Sequence, residues 1–445
     1  MRRDFMKTGL MAGGFLGLQR ALGAGVEVEG RFCEGYGPLV KDPKGILDLP
    51  EGFSYRVISR QGEKMSDGFV VPGRADGMAA FAGKDGRVIL VRNHELGVAT
   101  ASLGAIPNAK EYPEEVPCYD AGAEGELVMP GGTTHLIYNP ATGEVEKEFL
   151  SLVGTDRNCA GGPTPWGTWI TCEEPEYLQE GRGVKHGWCF EVEVEAKGMQ
   201  QPVAMKGLGR FRHEAIAVDP KTKIIFLTED RHEGLFYRFV PGVEGGEGCL
   251  QALALEGVPD SRNWLGPQLA EGKKVSARWI DLEDTASPRD DLRFRGAEDG
   301  ATIFARGEGC WWFEDEVWFC CTNGGSEKRG QLFRLKPEGE GGGRLELFLE
   351  PRKSDLLTNG DNLTVAKNKD VIIAEDRVPE IAESQICSLR GVTAEGRIYT
   401  LATNRLNTSE LAGVCFSPDD QILFLNIQNP GLTIAVTGDW ASRKP

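Results

Sequence analysis

Histidine is scarce in this chain, five among 445 residues, so a zinc site built from several imidazoles is not expected. The eleven cysteines include no C-x-x-C pair, which excludes a zinc-ribbon pattern. There is no P-loop, no dinucleotide fingerprint and no G-x-S-x-G nucleophile elbow, and the chemistries those motifs carry lose their usual signatures. Helical periodicity is rare. No segment is both long and apolar enough for a comfortable membrane span, and stable membrane insertion is not expected. Positive charge is in deficit, 50 Lys and Arg against 67 Asp and Glu, for a net charge of -17. Such a surface argues against nucleic acid and anionic membranes as partners and suits cation binding.

What the chain does have is glycine, 59 residues, and 40% hydrophobic residues, ample for a large core. Short Val/Ile/Leu/Phe/Trp runs are bounded by Gly, Pro, Asn and Asp, a mostly β pattern. Cys320 and Cys321 sit in an apolar run and read as buried thiols. Cys33 and Cys118 are candidates for a disulfide in an oxidising compartment. The start, "MRRDFMKTGLMAGGFLGLQRALGAG", places Arg2-Arg3 in register with Phe5 and Lys7. A weakly hydrophobic, Gly-rich stretch and small residues near Ala21–Ala24 follow. This reads as a twin-arginine signal over residues 1–25, with the translocation machinery as partner and a periplasmic or extracellular destination.

The segment "NCAGGPTPWGTWITCEE", Asn158 to Glu174, has the punctuation of a hairpin. If the chain doubles back, Asn158 and Cys159 meet Glu173 and Glu174. Five other places repeat the design. Strands ending in polar groups close at Glu95, Asp230, Asn323, Asp376 and Gln428, and each follows a strand with a polar start, at Asp76, His213, Arg306, Asp361 and Glu410. The units recur at roughly 50 to 95 residues, longer and less regular than standard propeller repeats. In an antiparallel hairpin the first strand's start and the second strand's end share one edge. Six units set radially would bring all six polar edges to one channel mouth. The expectation is an all-β fold, a six-bladed β-propeller with irregular insertions, forming a single catalytic domain over residues 26–445.

Crowded carboxylates repel one another unless cations compensate, and oxygen-rich clusters favour calcium. A lone cysteine is ordinarily a small buried hydrophobe, but Cys159 beside these acids suggests a second, softer or redox-capable metal such as iron. Arg306 and Glu308 share a strand face, where they form either a simple ion pair or a phosphate-binding fork.

The motifs "MSDGFVVPGRADGMAAF", "LVRNHE", "GGTTHL", "RNCAGGPTPWGTWITCEE", "FRHEAIAVDP", "TED", "ARGEG", "NGDNLTV" with "AEDR", and "ELAGVCFSPDDQILFLNIQNPG" together resemble the PhoX-type alkaline phosphatases over nearly the whole chain. The resemblance implies an exported propeller phosphatase that acts on phosphate monoesters with Ca2+ and Fe3+. Carried over by motif position, Cys159 matches the iron-binding cysteine, Glu174, Glu214 and Glu308 match metal-binding glutamates, and Arg306 matches the phosphate-contacting arginine. Glu173, Glu95, Asp361 and Glu375 occupy positions with further calcium or supporting roles. His135 stands where the family pattern has a substrate-contacting asparagine, and it is a candidate hydrogen-bond donor, acid or ligand. The expected partners are small-molecule phosphate esters, and the expected state is a monomer. Two alternatives stay open: a calcium-dependent propeller hydrolase of lactonase or phosphodiesterase type, and a non-catalytic, calcium-stabilised binding propeller.

Overall fold

In the computed structural model of the chain the described residues are 31–444, apart from 111–112, 114–115, 177–182, 243–247, 340 and 377–384. The expected signal segment, residues 1–25, lies outside them. Phe32–Pro445 forms one unit, and its regular secondary structure among the described residues is nearly all strand. One short α-helix, Leu292–Glu298, occurs among the described residues.

Six short strands line the axis: Ala75–Ala82, Asn158–Pro163, His213–Val218, Gly307–Phe313, Gly360–Val365 and Leu411–Phe416. Each packs against the next, and the last against the first, closing a ring. Each also opens an antiparallel sheet that runs outward. The sheets number five rather than six because two neighbouring units are fused. The outer strand Lys274–Asp281 of the third pairs with Gly342–Leu349 of the fourth, giving nine continuous strands. Aromatic packing fills that junction, with Phe236 stacked on Phe319 at 4.2 Å and Phe333 on Phe319 at 5.0 Å. The sheet of the sixth unit is completed by an early strand, Ser54–Arg60, which pairs with Leu432–Thr437. Buried Arg92 holds this closure. Its guanidinium donates to Ser59 on the closing strand, to Thr433 on the last unit, and to Thr134 and Glu148 on the first.

The ring is narrow, and glycines let the inner strands approach. A Cβ on Gly309 would stand 2.4 Å from the Asp361 carbonyl oxygen of the next unit. One on Gly413, which also holds φ at +61°, would stand 2.3 Å from the Asp76 carbonyl oxygen. Hydrogen bonds pin further points around the ring: Asn93 Nδ2 to Ala160 O at 2.7 Å, Thr228 Oγ1 to Glu308 O at 2.6 Å, and Asn426 Nδ2 to Asp76 O at 2.6 Å.

Cys320 and Cys321 are buried as expected. The suggested Cys33–Cys118 disulfide is not formed. Both are free thiols. Cys33 packs with Leu47 and Tyr399, whereas Cys118 packs with Met65 and Val71 in a separate cluster.

Gly309→Ala should force the fourth and fifth inner strands apart and cost about 1–3 kcal/mol, the usual range for overpacking. Urea unfolding checks this, and an unchanged midpoint would show that the seam is looser than the distances imply.

Candidate metal centre

One small structural device repeats at the ring mouth. In all six units the residue just past the second strand donates its backbone N–H to a carbonyl just before the inner strand: Glu95 to Arg74, Glu174 to Arg157, Asp230 to Arg212, Thr322 to Arg306, Asp376 to Asn359 and Gln428 to Glu410, at 3.0–3.3 Å. This bond marks equivalent positions. Each inner strand then carries a break in register, at 75/78, 158/161, 213/216, 307/310, 360/363 and 412/415. A bulge re-aims the side chain at the break. In the first five units the residue two beyond the marker is Asp76, Cys159, Glu214, Glu308 and Asp361, and all five line one cavity.

That cavity holds about 220 Å³ and is walled almost wholly by polar atoms. Its other lining residues are Arg74, Glu95, Arg157, Glu174, Arg212, Arg306, Asp376, Glu410 and Gln428. The wall has two unlike sides. Along one runs a chain of alternating charge. Arg74 meets Glu95 at 3.3 Å, Arg157 bridges Glu95 and Glu174, Arg212 bridges Glu174 and Asp230, and Arg306 bridges Asp230 at 2.7 Å and Glu308 at 3.0 Å. The other side holds Asp361, Asp376 and Glu410 of the fifth and sixth units, whose marker positions carry Asn359 and Glu410 itself in place of arginine, and Asp76 of the first unit adjoins them. Gln428 spans the junction, donating to Asp76 and Glu95 at 2.9 Å.

The lining carries eight carboxyl groups against four guanidinium groups. Burial raises the Asp361 carboxyl to about 7, with the Asp376 charge adding to it. Burial also lifts Glu174 to about 8, with Asp230 and Glu95 adding to it, despite Arg212 and Arg157. Burial and neighbouring acids push Asp76, Glu214, Glu308 and Glu410 up as well. Asp230 goes the other way, because Arg306 and Arg212 outweigh its burial. Donor atoms close enough to share an ion, all within 4.8 Å, form four groups here: Cys159/Glu174/Glu214, Asp76/Glu95/Glu410, Glu214/Glu308/Asp361 and Asp361/Asp376/Glu410. The three all-oxygen groups fit hard cations, and the thiol-containing one fits a softer ion such as iron.

Of the residues singled out from the sequence, Cys159, Glu174, Glu214, Glu308, Glu95, Asp361 and Arg306 meet in this cavity. Glu173, Glu375 and His135 do not. Strand residues alternate faces, so of each adjacent acid pair only one reaches the mouth. Glu173 turns into its own sheet, accepting from the N–H groups of Asp156, Gly187 and Trp188 and pairing with His186 at 2.6 Å. Glu375 likewise accepts from Thr358 N, Ser388 N and Arg390, and its neighbour Asp376 takes the lining position. His135 sits in the third strand of its sheet, away from the axis. Its ring stacks on Phe149 at 5.1 Å, Nε2 lies 3.1 Å from the Glu193 carbonyl oxygen, and burial lowers its pKa to about 4. The sequence reading passed over Arg74, Arg157 and Arg212 as site residues. Their signal was present as R-x-[DCE], at 74–76, 157–159, 212–214 and again at 306–308.

A family model described as alkaline phosphatase PhoX matches residues 34–431. Among solved structures, Pseudomonas fluorescens PhoX in complex with vanadate, a transition state analogue, superposes with a TM-score of 0.65 at 17% identity, covering 92% of this chain and 98% of that one. A gluconolactonase from Xanthomonas campestris is a more distant likeness, with a TM-score of 0.43 at 11% identity over 91% of this chain and 98% of that one. No curated protein matches the chain by sequence.

Glu173 and Glu174 should separate cleanly on replacement. Glu174→Gln should lower bound cation, read by elemental analysis, at little cost in stability. Glu173→Gln should leave cation content unchanged and lower stability. Burial alone would depress His186, but Glu173 and Asp120 overcome it and raise its pKa to about 10. The stability this lends is complete below the unfolded value of about 6.5 and fades as pH rises through about 10. The Glu173→Gln deficit should therefore be largest near pH 6 and shrink toward pH 10 in thermal melts.

Proposed function

The chain belongs to the alkaline phosphatase PhoX family, and from that premise we propose that it hydrolyses phosphate monoesters at a cluster of Ca2+ and Fe3+ held in the ring mouth. The observation that carries this reading is the two-sided wall. An acid-only side suits cations, and an arginine-bearing side suits an anion, within one cavity of about 220 Å³. A phosphate monoester presents charged oxygens to both. The carboxyl groups of Asp76, Asp361, Asp376 and Glu410 would hold hard cations, and Cys159 with Glu174 and Glu214 would hold the iron. Bound cations supply Lewis acidity toward the phosphoryl oxygens.

The chain's own contribution is charge and position. Arg306 is fixed by Asp230 and Glu308 on adjoining units, so its planar fork enters the mouth already oriented. A preoriented donor stabilises charge developing on equatorial oxygens without reorganising at the moment of reaction. Cys159 lies two units away around the ring, its bulge held against the first unit by Asn93. His135 plays no part in this proposal, since its ring lies outside the cavity.

The enzymatic test is hydrolysis of a chromogenic phosphate monoester at alkaline pH by metal-loaded protein, with vanadate as inhibitor. Arg306→Lys keeps the charge and loses the fork. Metal content should stay normal while kcat/KM falls by roughly one to two orders of magnitude, or about 1.5–3 kcal/mol. Cys159→Ser should lose iron and turnover together while remaining folded. Retention of both iron and rate by Cys159→Ser would remove the thiol from the chemistry.

We also propose that residues 1–25 direct twin-arginine export, on the strength of Arg2-Arg3 with Phe5 and Lys7. Replacing both arginines by lysine should trap the precursor in the cytoplasm. Undiminished export of that variant would rule out this route.

A further inference from the structure

Behind the mouth, where the second unit meets the third, lies a second group of ligand side chains that the phosphatase reading leaves unused. Cys172 and Cys189 are direct cross-strand partners, with their Sγ atoms 3.6 Å apart. His213 opens the inner strand of the next unit. A ring nitrogen of His213 and both sulfurs lie within 4.8 Å of one another. All three residues are fully buried.

The imidazole is the informative member. Its Nε2 lies 3.0 Å from the Gly209 carbonyl oxygen. A carbonyl only accepts, so Nε2 carries the proton and Nδ1 keeps a bare lone pair. That Nδ1 has no hydrogen-bond partner. The ring is held in place by stacking on Phe211, and Ile170, Ile216 and Leu227 belong to the same apolar cluster. An unpaired buried acceptor is unfavourable and calls for an explanation. A carbonyl fixing one ring nitrogen while the other is left free is the usual arrangement of a metal-ligating histidine.

The register sharpens the point. Cys172 stands one residue before Glu173, the position held by Asn93, Thr228, Cys320 and Asn426 in other units. Each of those side chains reaches across its seam to a backbone oxygen of the following unit. In the second unit the equivalent side chain meets a thiol and an imidazole instead. Two sulfurs about 2.3 Å from a tetrahedral zinc stand roughly 3.8 Å apart, close to the 3.6 Å seen here. Two thiolates, a neutral imidazole and a divalent ion sum to zero charge, the one total an apolar interior accepts readily. Soft donors select the zinc class over calcium.

We propose that Cys172, Cys189 and His213 bind a soft divalent cation of the zinc type. This ion staples the second unit to the third directly behind Cys159, Glu174 and Glu214. It is independent of the phosphatase reading, and its test uses no activity assay.

The probe is Co2+ added to metal-stripped Cys159→Ser protein, which removes the mouth's own thiol. One equivalent should produce thiolate-to-cobalt charge-transfer absorption, and Zn2+ should displace it. Cys172→Ser and Cys189→Ala should each weaken binding more than tenfold. Denatured in chelator, the Cys159→Ser protein should then show all ten remaining thiols free. If the variants fail to fold, X-ray absorption of zinc-loaded wild-type protein reads the same shell and should give two sulfurs and one nitrogen. Ten free thiols without charge transfer would mean packing cysteines and overturn the proposal. Loss of two thiols with a linked Cys172–Cys189 peptide would mean a disulfide and overturn it equally.

Discussion

Electrostatic repulsion at the axis is the constraint on which the rest of the molecule depends. Eight carboxyl groups and a thiol converge on a space of about 220 Å³, and in a low-dielectric interior like charges at such distances are costly. A fold that merely tolerated this would fly apart at its narrowest point. This one distributes the cost. Four guanidinium groups interleave with the acids on one side, and the acids on the other side are left for cations. The seams are also drawn together by glycines and by amide and hydroxyl donors that carry no charge, so the closure of the ring does not rest on the charged groups of the mouth alone.

The division of labour follows from the two-residue period of a strand. In the second strand of several units the residue that pairs with the inner strand turns back into its own sheet, and the next one enters the mouth. Glu173, Glu229 and Glu375 are of the first kind, Glu174 and Asp376 of the second, while Asp230 is taken up by Arg212 and Arg306. Glu229 accepts from Tyr237 Oη and Leu235 N, as Glu173 accepts from its own loop. Adjacent acids in the sequence are therefore not a chelating pair. One is a ligand candidate and the other is the latch that holds the ligand's loop.

This explains what could be read from the sequence and what could not. The recurring apolar strand with polar ends was visible, because burial between units demands it, and so were Cys159, Glu174, Glu214 and Glu308. The choice within a pair was not: Glu375 looked as good as Asp376 until the register Gly360–Glu375 showed which one faces inward. His135 was misplaced for a different reason. Motif position located its strand, but the third strand of a radial sheet is remote from the axis whatever its residue. The arginines at 74, 157 and 212 are legible as R-x-acid or R-x-Cys ahead of each bulge, yet charge counting alone does not single them out.

The same marker position decides how the mouth is polarised. Four units place arginine there, the fifth places Asn359 and the sixth Glu410. Three of the four arginines also depart from ordinary backbone, with φ of +45° at Arg74 and +51° at Arg157 and Arg306, as does Asn359 at +50°. Left-handed backbone at a large side chain is unfavourable and persists where the surroundings hold it. Here the holder is the bond from each second-strand end to the marker carbonyl, the same bond that fixes where the bulge begins. Side-chain identity at this position can therefore change without moving the ring. Exchanging arginine for asparagine or glutamate in two adjoining units removes positive charge from one arc only. A mouth built from six equivalent hairpins thereby acquires a cation-seeking side and an anion-seeking side, which a site for a charged ester requires and a symmetric ring of acids would lack.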